Sequence, residues 1–134
     1  VNARAVFFLS QEVARAMVER GIPGRIVNIT SISGEKATNP LQIPYCASKA
    51  AANMATRVMA VALAPHGITV NAVSPGAILW PEGATDEQMK KVLAQVPMGH
   101  SGDADDIASA VVFLASQDYI TGQVLRVDGG WKTI

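Results

Sequence analysis

Residues 25–30, with the sequence RIVNIT, and residues 68–73, with the sequence ITVNAV, decide the fold. Both segments are rich in β-branched side chains and too apolar to leave one face in water, which predicts two strands buried on both faces. Residues 45–64 lie between them and are rich in alanine and methionine, which favour a helix. Pro65 and Gly67 are typical of the end of such a helix. A strand, a helix and a second buried strand predict a crossover between two parallel strands.

The rest of the chain extends this pattern in both directions. Apolar residues at helical spacing predict a helix over residues 3–20, which Gly21 would end, and a short helix over residues 86–95. N-cap candidates and acidic residues within 101–106 predict the start of a further helix that runs to about residue 116, and residues 124–127 are predicted to be a last strand. The order helix, strand, helix, strand, helices, strand predicts a doubly wound, Rossmann-like α/β fold with a parallel sheet, forming part of one domain over residues 1–134. In such sheets the ligand lies beyond the carboxyl ends of the strands, here residues 30–31 and 74–76.

Composition excludes several classes of protein. Eleven basic residues balance eleven acidic ones, so the basic patch that a nucleic acid or an anionic membrane needs is absent from the sequence. The sequence has no uninterrupted run of about 18 apolar residues, so it contains no segment that is expected to span a bilayer. Cys46 is the single cysteine, which fits a reducing, cytoplasmic setting, and His66 and His100 have no second ligand at metal spacing, so we expect no metal site. A small-molecule substrate is the expected partner.

Tyr45 and Lys49 form the first candidate site. Residues four apart at the start of a helix share one face, which brings a phenol and an ammonium together. A nearby cation stabilises the phenolate and so makes the phenol a better general acid. A surface lysine one turn after a packed tyrosine produces the same spacing, so the pair alone is weak evidence. Ser31 strengthens it, because a hydroxyl at the end of a strand can hydrogen-bond a carbonyl oxygen that gains negative charge.

Several linked motifs occur in a fixed order along the chain. They are GRIVNITS at residues 24–31, YCASKAA at 45–51, NAVSPGAI at 71–78, ITGQV at 120–124 and VDGG at 127–130. Together they make the chain resemble the short-chain dehydrogenase/reductase family over essentially all of its 134 residues.

The resemblance implies four catalytic residues. Tyr45 matches the tyrosine that protonates the substrate oxygen during reduction, and Lys49 matches the lysine that assists this tyrosine and hydrogen-bonds the nicotinamide ribose. Ser31 matches the serine that positions the substrate carbonyl. Asn2 matches the asparagine that holds a proton-relay water near the lysine.

The resemblance also implies a nicotinamide cofactor. Tyr45 and Lys49 would contact it, and Pro75, Gly76 and Ile78 match the segment that lies against the nicotinamide carboxamide. We expect NADP(H) ahead of NAD(H). In this family the residues that discriminate between the two cofactors follow the second strand of the fold, and that part of the fold is not among these 134 residues.

Two departures from the family pattern bear on the substrate. The spacing between Ser31 and Tyr45 is one residue longer than is common, so Ser33 is a rival for the serine role. Trp80 replaces the usual threonine, and the segment around it looks like the pteridine reductase branch. The indole would either stack on a flat heterocycle or act as an unselective apolar lid. We therefore expect reduction of a carbonyl or of a pterin-type C=N bond.

The family's glycine-rich turn between a first strand and a first helix has no match in these residues. The sequence therefore predicts the C-terminal half of a longer protein, and we expect these 134 residues alone not to bind NAD(P)H with useful affinity. An alternative hypothesis is a non-catalytic fragment that only self-associates, and a Schiff-base lysine enzyme is a weaker one. The helices at residues 3–20 and 45–64 are apolar on more than one face, which predicts a homodimer or homotetramer.

Overall fold

The computed structural model describes residues 2–36 and 40–131. It contains four α-helices and three strands in the predicted order, each ending within two residues of its predicted bounds: α1 Asn2–Glu19, β1 Gly24–Ile29, α2 Ile43–Leu63, β2 Ile68–Pro75, α3 Asp86–Leu93, α4 Ala104–Ala115 and β3 Val124–Val127. Short 3-10 turns lie at Ile32–Gly34, Pro40–Gln42 and Ala64–His66. The predicted α/β class with a parallel sheet is confirmed.

The sheet has the order β1-β2-β3, and both pairs of strands are parallel. β2 lies in the centre, and every residue from Ile68 to Ser74 is buried, as its apolar sequence predicts. The same prediction is wrong for part of β1. Only Ile26 and Asn28 are buried there, and Ile29 is 44% exposed, because β1 is the edge strand of the described sheet and pairs only with β2.

The core lies between the sheet and helices α1 and α2. Ala14, Ile26, Ala60, Ile68 and Val70 form one buried cluster that joins both helices to β1 and β2. Burial of such side chains contributes about 25 cal/mol per Å² of apolar surface removed from water.

A buried polar chain crosses this core. Ser10 Oγ in α1 donates to the side-chain Oδ1 of Asn28 at 3.2 Å, and Asn28 Nδ2 donates to Thr56 Oγ1 in α2 at 3.0 Å. Because these bonds require one relative placement of α1, β1 and α2, they fix α2 beside the carboxyl end of β1.

The termini of the helices follow from local chemistry. Gly21 and Gly67 have φ values of +62° and +69°, which glycine adopts without strain, and they end the turns after α1 and α2 as the sequence predicts. Thr85 and Asp103 begin α3 and α4 with reciprocal capping boxes. Among the described helices, none combines the length and the apolar character that crossing a membrane requires.

Candidate active site

The candidate site lies at the carboxyl end of the sheet. Ile29 pairs with Val73, and the Thr30 amide donates to the Val73 carbonyl at 2.8 Å. The chain therefore leaves β1 at Ser31 and leaves β2 at Pro75 on the same edge, as expected for parallel strands.

Tyr45 and Lys49 meet on one face of α2. Pro44 occupies the first turn of this helix, where its missing N–H costs no hydrogen bond, so Tyr45 stands at the helix start. Lys49 Nζ lies 5.7 Å from the centroid of the Tyr45 ring and donates a 3.2 Å hydrogen bond to the Ile29 carbonyl oxygen. The predicted juxtaposition is therefore present, and it faces the end of β1. Tyr45 remains partly exposed, so a ligand can reach its ring.

Ser31 is the N-cap of the turn Ile32–Gly34. Its Oγ accepts a hydrogen bond from the Ser33 backbone N–H at 3.2 Å, and its side chain is buried. A hydroxyl that accepts one bond still has its own hydrogen to donate. Ser31 and Ser33 thus belong to one turn, and both remain candidates for the serine role.

This turn lies directly against α2. A Cβ at Gly34 would lie 2.7 Å from the Lys49 carbonyl carbon and 2.9 Å from the Ala50 nitrogen, which is closer than real Cβ atoms approach. Glycine is therefore required for the turn to sit at this place on the helix.

Asn2 lies at the start of α1 and reaches the same part of α2. Its amide nitrogen donates to Ser48 Oγ at 3.4 Å, and Ser48 Oγ donates to the Tyr45 carbonyl at 2.7 Å. The structure thus brings Asn2 to the residue next to Lys49, and the expected water relay stays a prediction.

The segment after β2 is attached to the end of β3. The Gly76 amide donates to the Val127 carbonyl at 2.9 Å, and a Cβ at Gly76 would lie 2.7 Å from Asp128 Cα. Ile78 packs against Gly102. Trp80 is partly buried, and no ring contact joins its indole to Tyr45 within residues 2–36 and 40–131.

Sequence reasoning did not identify several residues around this site. Lys36 Nζ donates to the Trp131 carbonyl at 3.2 Å, and Ser74 Oγ lies 3.5 Å from a Glu35 carboxylate oxygen. Both contacts join the chain just after the Ile32–Gly34 turn to distant segments, and nothing local in the sequence signals them. Asn53 in α2 was also missed, although an amide within an alanine-rich helix was a usable signal.

The described residues contain no cluster of three or more His, Cys, Asp or Glu side chains suited to a metal.

Comparison with known proteins gives one family. The family model described as enoyl-(acyl carrier protein) reductase matches residues 1–132. The chain is 39% identical to mouse L-xylulose reductase over 98% of its own length and 56% of the relative's. It is 46% identical to the 3-oxoacyl-[acyl-carrier-protein] reductase FabG of Haemophilus influenzae over 96% of its own length and 54% of the relative's.

Solved structures of similar proteins support the same family. A putative 2-deoxy-d-gluconate 3-dehydrogenase from Agrobacterium tumefaciens with bound NADP is 36% identical and has a TM-score of 0.92 over 100% of this chain and 56% of that one. A 4-hydroxyisoleucine dehydrogenase complexed with NADH is 38% identical and has a TM-score of 0.90 over 100% of this chain and 57% of that one. The chain thus spans about half the length of the proteins that it matches.

Proposed function

The chain belongs to the short-chain dehydrogenase/reductase family, and from this premise we propose that it carries the catalytic residues of an NAD(P)H-dependent oxidoreductase that reduces a carbonyl group. The observation that supports this proposal most directly is the placement of Lys49 Nζ between the Tyr45 ring and the Ile29 carbonyl. A fixed cation beside a partly exposed phenol at the end of a parallel sheet suits proton donation to a bound substrate.

In the proposed reaction, the Tyr45 hydroxyl donates its proton to the substrate oxygen. The Lys49 ammonium stabilises the phenolate that remains, because a positive charge close to the phenolate oxygen favours the ionised form. The Ser31 hydroxyl, or the Ser33 hydroxyl in the alternative, donates a hydrogen bond to the same substrate oxygen and orients it. To close the cycle, Lys49 returns a proton to the Tyr45 phenolate, and Asn2 is proposed to hold the water that then reprotonates Lys49.

The residues at this edge fit the nicotinamide end of NAD(P)H, which when bound supplies the hydride. Lys49 offers an ammonium and Tyr45 a hydroxyl for ribose oxygens. Gly76 holds the backbone of residues 75–78 against β3, and we propose that Pro75, Gly76 and Ile78 bind the carboxamide end. The named solved relatives contain NADP in one case and NADH in another, so a nicotinamide cofactor is supported. Preference for NADP(H) remains our proposal.

A carbonyl substrate is supported by the names of the curated relatives, a xylulose reductase and a 3-oxoacyl carrier-protein reductase. A pterin-type C=N substrate, and with it the pteridine reductase branch, rests only on Trp80 and the segment around it, residues 75–83, and is the weaker proposal. We also propose a cytoplasmic location and no nucleic-acid or membrane partner.

The experiment that tests this function measures NADPH and NADH oxidation by the native protein that contains this chain. Separate assays would contain a short 3-oxoacyl thioester, a ketose and dihydrobiopterin. We expect oxidation with at least one carbonyl compound. Oxidation with the pterin alone would favour the C=N reaction instead, and no oxidation with any compound would contradict the enzyme assignment.

Self-association without catalysis is the second candidate function. It is favoured by apolar side chains that are exposed on the outer faces of α1 and α2, defined here as Phe8, Leu9, Met54, Val58 and Val61. A homodimer or homotetramer is also compatible with catalysis, so the oxidation assay distinguishes the two candidates.

A further inference from the structure

Asn53 is a buried amide whose side chain has no hydrogen-bond partner among the described residues. Its side chain is 2% exposed, and neither Nδ2 nor Oδ1 bonds to an atom of residues 2–36 or 40–131. Asn71, which is 0% exposed, shows the usual arrangement: Nδ2 donates to the Ile120 carbonyl at 2.8 Å and Oδ1 accepts from the Gln123 amide at 3.0 Å. An unpaired buried polar group destabilises the folded state, so Asn53 lowers stability where a leucine would not.

The position of Asn53 relates it to the candidate site. It follows Lys49 by one helical turn on the same face of α2. The position that a Cβ of Gly34 would occupy is 2.8 Å from Asn53 Nδ2 and 2.7 Å from the Lys49 carbonyl carbon. The amide therefore lies directly against the backbone of the Ile32–Gly34 turn, which begins at Ser31.

We propose that Asn53 is a positioning residue for this turn. When a substrate oxygen engages the serine of the turn, the backbone of the turn shifts by a few tenths of an ångström and hydrogen-bonds the Asn53 amide, which holds the serine hydroxyl in its productive place. A small misplacement of such a group strongly slows a reaction, which accounts for an amide that is retained at a cost in stability. The inference rests on the proposed function, since it requires Ser31 or Ser33 to receive the substrate.

The test replaces Asn53 by leucine, which has the same branched shape and no polar atom. Thr69→Val is the matched control: Thr69 is 8% exposed, its Oγ1 also has no partner, and it lies at the opposite, amino end of β2. In the native protein we expect both variants to unfold at the temperature of the wild type or above it. Asn53→Leu should lower kcat about tenfold or more with the cofactor KM unchanged, whereas Thr69→Val should leave kcat unchanged.

A conservative variant separates the polar role from shape. Asn53→Gln keeps an amide that can both donate and accept hydrogen bonds and adds one methylene, so it should retain more turnover than Asn53→Leu. Equal turnover in the two variants would contradict a role for hydrogen bonding.

Three further outcomes would overturn the inference. Unchanged kcat in Asn53→Leu, with an active wild type, would contradict the positioning role and leave the proposed function standing. An unfolding temperature of Asn53→Leu clearly below that of Thr69→Val would show a purely structural role. A wild type that oxidises neither cofactor with any carbonyl compound would instead overturn the proposed function, and the inference with it.

Discussion

Lys49 occupies the point where α2 meets the end of β1. Its ammonium donates to the Ile29 carbonyl and lies over the Tyr45 ring, so one side chain connects the strand end to the helix start. A lysine side chain has considerable rotamer entropy, and a hydrogen bond to a backbone carbonyl restricts it before any ligand arrives. We infer that this restriction keeps the cation close to the phenol.

The first prediction at this scale concerns Tyr45. Tyr45→Phe in the native protein should lower kcat by about a hundredfold or more, because a general acid typically contributes that much. Tyr119→Phe is the control, since Tyr119 is a fully exposed tyrosine in the segment before β3 and should leave kcat unchanged. Steady-state kinetics of both variants would check this, and near-normal turnover of Tyr45→Phe would refute the assignment.

The second prediction decides between the two serines. Ser31→Ala should lower kcat about a hundredfold, because it removes a hydrogen bond to the substrate oxygen where charge develops. Ser33→Ala should have a smaller effect, since Ser33 contributes a backbone N–H to the Ser31 hydroxyl and the substitution keeps that group. The comparison uses the same kinetic assay. The reverse order of the two effects would assign the role to Ser33.

At the scale of the elements, the turn before β3 depends on β2. Asn71 bonds Ile120 and Gln123, and Thr121 Oγ1 accepts from the Val70 amide at 3.0 Å. These contacts fix where β3 begins, and β3 in turn holds Gly76. The placement of the proposed cofactor segment therefore depends on a side chain inside the central strand.

The third prediction follows from this contact. Asn71→Leu removes two hydrogen bonds to partly buried backbone groups of Ile120 and Gln123, so it should lower the free energy of unfolding by about 1–3 kcal/mol. Asn53→Leu is the comparison, because it changes an equally buried asparagine that has no partner and should cause no loss. Urea denaturation of the two variants would measure the difference, and equal stabilities would contradict it.

At the scale of the whole molecule, the outer faces of α1 and α2 expose large apolar side chains; Val58, for example, is 61% exposed. Exposed large apolar side chains that cluster on a surface often mark an interface. A second copy of the protein is the proposed occupant, because the sequence already predicts a homo-oligomer through these two helices.

The fourth prediction tests this assembly. The native protein should sediment as a dimer or tetramer at micromolar concentration, and Val58→Glu should shift it towards the monomer, because burial of an unpaired carboxylate is costly. Lys90→Gln on α3 changes the net charge by the same amount and should leave the assembly intact. A monomeric wild type would contradict the proposal.

Local patterns in the sequence determined most of the elements and the central pair of the site. Helical spacing places Tyr45 and Lys49 on one face whatever surrounds the helix, and apolar β-branched runs predict strands. Gly21, Gly67 and the cap before α4 are equally local signals, and the structure has each of them where it was expected. These features depend on residues within a few positions of one another.

The tertiary structure alone decided which groups meet across the chain. The exposed end of β1 depends on its edge position, and the bond from Lys49 to Ile29 joins residues that are 20 positions apart. Composition and spacing cannot predict that Asn71 is paired while Asn53 is not, because both are asparagines in apolar surroundings. Burial and hydrogen bonding depend on which distant backbone atoms arrive beside a side chain, and only the packed arrangement of α2, the turn and the sheet determines that.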